Sequence, residues 1–220
     1  MTVLTDHLRR APLIAILRGI TPEEAEAVGA ALIESGFEII EVPLNSPYPF
    51  ASIEKLARRF DHAAMIGAGT VLRPDDVDAV HNAGGRLIVM PHADATVVRR
   101  SKAAGLACIP GFATPTEGFQ MIAAGADALK LFPAEGSSPA VLKALRAVFP
   151  HDIPILPVGG IGAGSFAGWL RAGAAGFGIG SSLYKPGDGP AILRERAGAL
   201  FAALRDAESD EDVNVLTLRS

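Results

Sequence analysis

Thiol chemistry is almost missing from this chain. Cys108 is its single cysteine, so no internal disulfide framework holds the fold and a cytoplasmic setting is expected. The histidines His7, His62, His81, His92 and His151 never fall into an HxH or HExxH spacing, so a metal site is not expected. No cofactor of another kind is expected either. Long basic runs are absent and the formal net charge is −4, which leaves no electrostatic footprint for nucleic acid. Any bound phosphate is therefore expected on a small molecule. No apolar run approaches the roughly 20 residues that cross a bilayer, because Gly, Pro and charges interrupt each one. The opening Met1-Thr2-Val3-Leu4-Thr5-Asp6-His7 lacks the apolar core of a signal peptide. Aromatics are scarce at 6%, and against 49% hydrophobic residues this leaves apolar helix surface for a neighbouring copy to cover.

Short apolar runs alternate with longer amphipathic ones along the chain, the pattern of repeated βα units around a parallel sheet. Eight such pairs can be read, with strands at Leu13 to Arg18, Phe37 to Leu44, Met65 to Val71, Arg86 to Pro91, Ala107 to Gly111, the run at Ala128 to Phe132, Ile153 to Gly159 and Gly176 to Ser181. Helix starts are marked by Thr21-Pro22-Glu23-Glu24, Arg73-Pro74-Asp75-Asp76, Thr114-Pro115-Thr116-Glu117 and Ser137-Ser138-Pro139, each combining a cap or acid with a first-turn proline. Further helices are expected within Pro47 to Phe60, from Gly164 to Ala172 and from Pro190 to Arg205. The fold class is α/β, and eight units in 220 residues close best as a single (β/α)8 TIM barrel over residues 1–206. Residues 207–220 form an acidic, then apolar, tail to which no chemistry is assigned.

The run Ala128-Leu129-Lys130-Leu131-Phe132-Pro133-Ala134-Glu135 holds a lysine in the middle of a buried strand. Burying an ammonium costs several kcal/mol, to order of magnitude, unless it is paired or sheds its proton. Two readings stand: a strand-end lysine that snorkels to solvent, or an amine with a depressed pKa that attacks a ketone and forms a Schiff base. In a barrel of this kind the chemistry sits at the C-terminal strand ends. Arg18 follows Ile14 and Ile16 at the end of strand one, Glu41 follows Ile39 on strand two, and Thr70 follows Ala68 on strand three. If these face inward with Lys130, they place a base, an amine, a cation and a hydroxyl in one apolar cup. That set serves Schiff-base chemistry on a small oxo acid. The alternative for Glu41 is an outward strand-end acid.

A phosphate signal is separate. Pro157-Val158-Gly159-Gly160-Ile161 and Gly178-Ile179-Gly180-Ser181-Ser182 end the last two strands, where barrels bind phosphate with bare backbone N–H groups. Tight turns alone would also explain the glycines. His92 lies near a strand end, where it either lines the pocket or packs, and Cys108 reads as a small buried hydrophobe.

With these residues the chain resembles the 2-keto-3-deoxy-6-phosphogluconate and -galactonate aldolases, a class I family that releases pyruvate and glyceraldehyde 3-phosphate. The resemblance covers roughly residues 10 to 205 and rests on Ile16-Leu17-Arg18-Gly19, Ile40-Glu41-Val42-Pro43-Leu44-Asn45-Ser46, Ile66-Gly67-Ala68-Gly69-Thr70-Val71, Leu129-Lys130-Leu131-Phe132-Pro133 and Val158-Gly159-Gly160-Ile161. It implies that Lys130 forms the Schiff base and that Glu41 moves protons through a water. It further implies that Thr70 and Arg18 hold the pyruvate end, and that Gly160, Gly180 and Ser181 bind the phosphate of a sugar acid. It also implies a homotrimer. Within the family the chain looks like the galactonate branch. Where gluconate enzymes read Glu-Val-Thr-Leu-Arg-Thr and Thr-Gly-Gly, this chain has Glu41-Val42-Pro43-Leu44-Asn45-Ser46 and Val158-Gly159-Gly160. Asn45 in place of that arginine leaves Arg18 as the cation for the carboxylate, and Val158 offers no hydrogen bond to a gluconate-type hydroxyl. Met90-Pro91-His92 stands where Thr-Pro-Asn is more usual. The rival readings are cleavage of the gluconate epimer, another phosphate-binding barrel enzyme, and a sugar-phosphate sensor without catalysis.

Overall fold

Each apolar run becomes a parallel strand. The computed structural model describes residues 2–209 and contains β1 (Leu13–Ile16), β2 (Ile39–Pro43), β3 (Met65–Gly69), β4 (Leu87–Val89), β5 (Ala107–Ile109), β6 (Gly111–Phe112), β7 (Leu129–Leu131), β8 (Ile155–Pro157) and β9 (Phe177–Ile179). They form two curled parallel ladders, β5-β4-β3-β2-β1-β9 and β6-β7-β8. The expected fifth strand is split, because Pro110 has no N–H to give the ladder. Its carbonyl still accepts from the Lys130 N–H at 2.9 Å. At the other side Val158, just past β8, bridges in parallel to Gly178 of β9.

The helices are α1 (Val3–Arg10), α2 (Ala25–Glu34), α3 (Pro49–Phe60), α4 (Pro74–Asn82), α5 (Ala95–Ala103), α6 (Pro115–Ala123), α7 (Pro139–Arg146), α8 (Phe166–Arg171) and α9 (Pro190–Glu208). Thr114 and Glu117 form a reciprocal capping box at the start of α6, and the Ser138 side chain accepts from the Val141 N–H at the start of α7. The first expected helix start is corrected. Thr21 spends its hydroxyl and its N–H on the Glu24 carboxylate, so Thr21 to Glu24 make a turn and α2 begins only at Ala25. The last helix runs to Glu208, past the expected boundary at residue 206. Residues 210–220, most of the tail read from the sequence, lie outside the described residues.

Strand alternation separates two apolar layers. Leu13, Ala15, Leu17, Ile40, Val42, Leu129 and Leu131 pack outward against the helices, while Ile14, Ile39, Met65, Leu87, Ile109, Ala128 and Leu156 pack together on the concave face. Leu4 and Leu8 of α1, each 1% exposed, join that inner layer. Helix α1 therefore covers the N-terminal end of the strands and leaves their C-terminal ends for chemistry.

Candidate active site

The same alternation decides who meets whom at the other end. Lys130 follows Ala128, Glu41 follows Ile39, and Ile16 and Arg18 follow Ile14, so all of them fall on the concave face. Leu129 and Leu131 lie on the opposite side of β7, so they are not the lining around the amine. Glu41 is 2% exposed and Lys130 5%. The backbone of β3 makes room for the acid: a Cβ on Gly69 would stand 1.6 Å from Glu41 Oε2. Glu41 Oε2 is buried with no hydrogen-bond partner among the described residues.

These two groups hold each other in check. Burial lowers the Lys130 pKa from its ordinary 10.5; the Glu41 charge opposes that shift and Arg18 adds to it. Burial also pushes the Glu41 carboxyl from 4.5 up to about 7, against the pull of Lys130 and Arg18. Burial thus works against the charged form of each group, while the charge of each favours the charged form of the other. Lys130 Nζ also lies over the Phe132 ring, 4.7 Å from its centroid.

Above the amine is a cavity of about 160 Å³, lined by Ile16, Arg18, Lys130, Phe132, Glu135, Val158 and the turns Gly159-Gly160-Ile161 and Gly180-Ser181. Gly159 and Gly160 adopt φ +110° and +63°, which a side chain would strain. Gly178 lets Val158 close the wall, because a Cβ there would lie 2.8 Å from a Val158 methyl. The cavity thus gathers Arg18, Lys130, Val158, Gly159, Gly160, Gly180 and Ser181. Thr70 lies outside it, in an adjoining hollow of about 350 Å³ with Asn45, Phe50 and Leu72 among its walls. Arg18 joins the two, with Nη1 donating to Asn45 Oδ1 at 2.6 Å and Nη2 to Thr70 Oγ1 at 3.5 Å.

The reason given for Thr70 is corrected. Ala68 packs outward against the helices, so alternation alone would turn Thr70 away from the site. Instead Thr70 takes a left-handed φ of +55°, which breaks the alternation and brings its hydroxyl to Arg18. Sequence reasoning missed the parts played by Asn45, Phe132 and Glu135. In the sequence Asn45 stands out only as a missing arginine, and Glu135 only as the last residue of the lysine run. His92 is half-buried and lines neither cavity.

The family model described as KDPG and KHG aldolase matches residues 4–188. The chain belongs to that family. It is an aldolase, a carbon–carbon lyase. A probable 2-dehydro-3-deoxy-6-phosphogalactonate aldolase of Rhizobium meliloti (strain 1021) is 49% identical over 192 residues, 87% of this chain and 91% of the relative. The 2-dehydro-3-deoxy-6-phosphogalactonate aldolase of Escherichia coli (strain K12) is 46% identical over 196 residues, 89% and 96% of the two chains. A solved structure described as native KDPGal superposes with a TM-score of 0.88 at 46% identity, covering 90% of this chain and 96% of its own. In this family setting the sheet is an aldolase scaffold, and the buried lysine lies among the residues at its C-terminal mouth.

Proposed function

We propose that this chain cleaves 2-keto-3-deoxy-6-phosphogalactonate to pyruvate and glyceraldehyde 3-phosphate through a Schiff base on Lys130. One observation carries the reading: an amine 5% exposed, with its protonated form disfavoured by burial, lines a cavity that ends in two glycine turns. The neutral amine attacks the C2 ketone to give a carbinolamine, and loss of water gives the iminium. Glu41 serves both steps by moving the proton through a water. Removal of the C4 hydroxyl proton then breaks the C3–C4 bond, whose electron pair flows into the iminium to form an enamine. The aldehyde formed at C4 leaves as glyceraldehyde 3-phosphate. Protonation of the enamine at C3 and hydrolysis release pyruvate and the free amine. Arg18 and Thr70 hold the carboxylate end, and Gly159, Gly160, Gly180 and Ser181 take the phosphate, with Val158 beside C4.

Incubation with pyruvate and borohydride is expected to add one reduced pyruvyl group, and peptide mapping should find it at Lys130. At an unshifted pKa only about one lysine in a few thousand is neutral at pH 7, so efficient trapping requires the lowered value. An unmodified Lys130, or a Lys130→Ala protein with full activity, overturns the mechanism.

The same reading takes the two ladders as one closed (β/α)8 ring in a single domain. Chain continuity through Pro110 and the Val158 to Gly178 bridge support it. It takes the assembly as a homotrimer, supported by Tyr48, Phe50 and Leu72, which are 80%, 37% and 49% exposed beside the site. Light scattering at micromolar concentration should return three times the chain mass; a monomer refutes it. The single, buried thiol of Cys108 goes with a cytoplasmic setting.

A further inference from the structure

Glu135 lines the cavity, and it is seated on glycine as Glu41 is. A Cβ on Gly159 would stand 2.1 Å from Glu135 Oε2, and one on Gly160 would stand 2.7 Å from its Cγ. The bare face of the glycine pair is therefore filled by this side chain. Its backbone is held in the short turn Ala134–Gly136, whose first N–H donates to the Val158 carbonyl at 2.9 Å. Among the described residues no donor meets the Glu135 carboxylate. The side chain is exposed and lines the cavity, so its oxygens, which can only accept, are open to a donor that a ligand brings in place of water.

The sugar acid has two such donors between its ketone and its phosphate, the hydroxyls on C4 and C5. Lys130 fixes C2 at one end of the cavity, and the glycine turns fix the phosphate on C6 at the other. Glu135 stands on the Gly159-Gly160 turn, at the phosphate end, where the nearer hydroxyl is the one on C5. We infer that Glu135 accepts a hydrogen bond from the C5 hydroxyl and so selects phosphorylated aldehydes that carry a hydroxyl next to the carbonyl. This rests on the placement of ketone and phosphate proposed above.

A carboxylate beside a phosphate also repels it. If Glu135 did nothing else, its removal would improve every phosphorylated acceptor alike. The two roles have opposite signs and can be separated. In the condensation direction, with pyruvate as partner, glyceraldehyde 3-phosphate is compared with 3-phosphooxypropanal, which lacks only the hydroxyl. The wild type is expected to prefer the hydroxylated aldehyde by about 10- to 100-fold in kcat/KM, the range of a hydrogen bond to a charged group. Glu135→Ala should bring the two within a few-fold of each other, and Glu135→Gln, whose amide oxygen still accepts, should restore part of the preference. A ratio unmoved by Glu135→Ala, or an equal gain for both aldehydes, overturns the inference. Borohydride trapping of pyruvate on the same proteins keeps the two readings apart. Trapping at Lys130 with an unmoved ratio refutes Glu135 alone, whereas no trapping in the wild type refutes the Schiff base on which it rests.

Discussion

Glu41 rests on the bare face of Gly69, so close that a Cβ at that position would lie 2.3 Å from its Cδ and 1.6 Å from Oε2. The acid keeps its place because its neighbour on the next strand has no side chain. Forcing a methyl group into such a contact costs about 1–3 kcal/mol and displaces the carboxylate. Gly69→Ala should therefore fold and lose at least about 10-fold in kcat, approaching the roughly 10²- to 10⁴-fold loss expected for Glu41→Gln. Steady-state kinetics beside a melting curve check this; a folded Gly69→Ala protein with wild-type kcat refutes it.

The burial of Glu41 also predicts a pH dependence of stability. Its folded pKa is raised from 4.5 to about 7, so the folded state holds this proton more tightly than the unfolded chain. The contribution is complete below the unfolded value and is lost as pH rises through about 7. The span is on the order of 3 kcal/mol. Lys130, with its pKa lowered, acts in the opposite sense, regaining stability as pH rises above its folded value. Urea midpoints for wild type and Glu41→Gln between pH 5 and pH 8 isolate the acid. The wild type should lose stability relative to the variant across that window, and parallel curves would remove the effect.

Val158 should set the epimer preference. It is 8% exposed, lines the cavity and offers only methyl groups to it. A missing hydrogen bond is worth about 1–3 kcal/mol, or roughly 5- to 150-fold. Val158→Thr should raise the relative kcat/KM for 2-keto-3-deoxy-6-phosphogluconate over the galactonate epimer. A ratio unchanged by the substitution takes Val158 out of specificity.

Helix α1 should matter for stability and not for chemistry. Leu8 is 1% exposed in the inner layer, at the end of the strands opposite the cavity. Leu8→Ala should cost about 2–5 kcal/mol in chemical denaturation. Its kcat at 25 °C should stay at the wild-type value; a large loss of kcat without loss of stability would contradict the separation of the two ends.

Local pattern was enough for much of this molecule. Period-two alternation on β1, β2 and β7 placed Arg18, Glu41 and Lys130 on one face, and proline and capping residues marked the starts of α4, α6 and α7, because these signals act over a few residues. Alternation failed at Thr70, where a left-handed φ overrides it, and at Thr21, where a side-chain bond to Glu24 takes the place of a helix cap. No local rule shows that α1 covers the inner layer, that Gly69 receives Glu41 or that Gly159 receives Glu135. Each of these joins residues from different parts of the chain, so what decides it is the steric fit of side chain against bare backbone once the strands have paired, and only the tertiary structure holds that information.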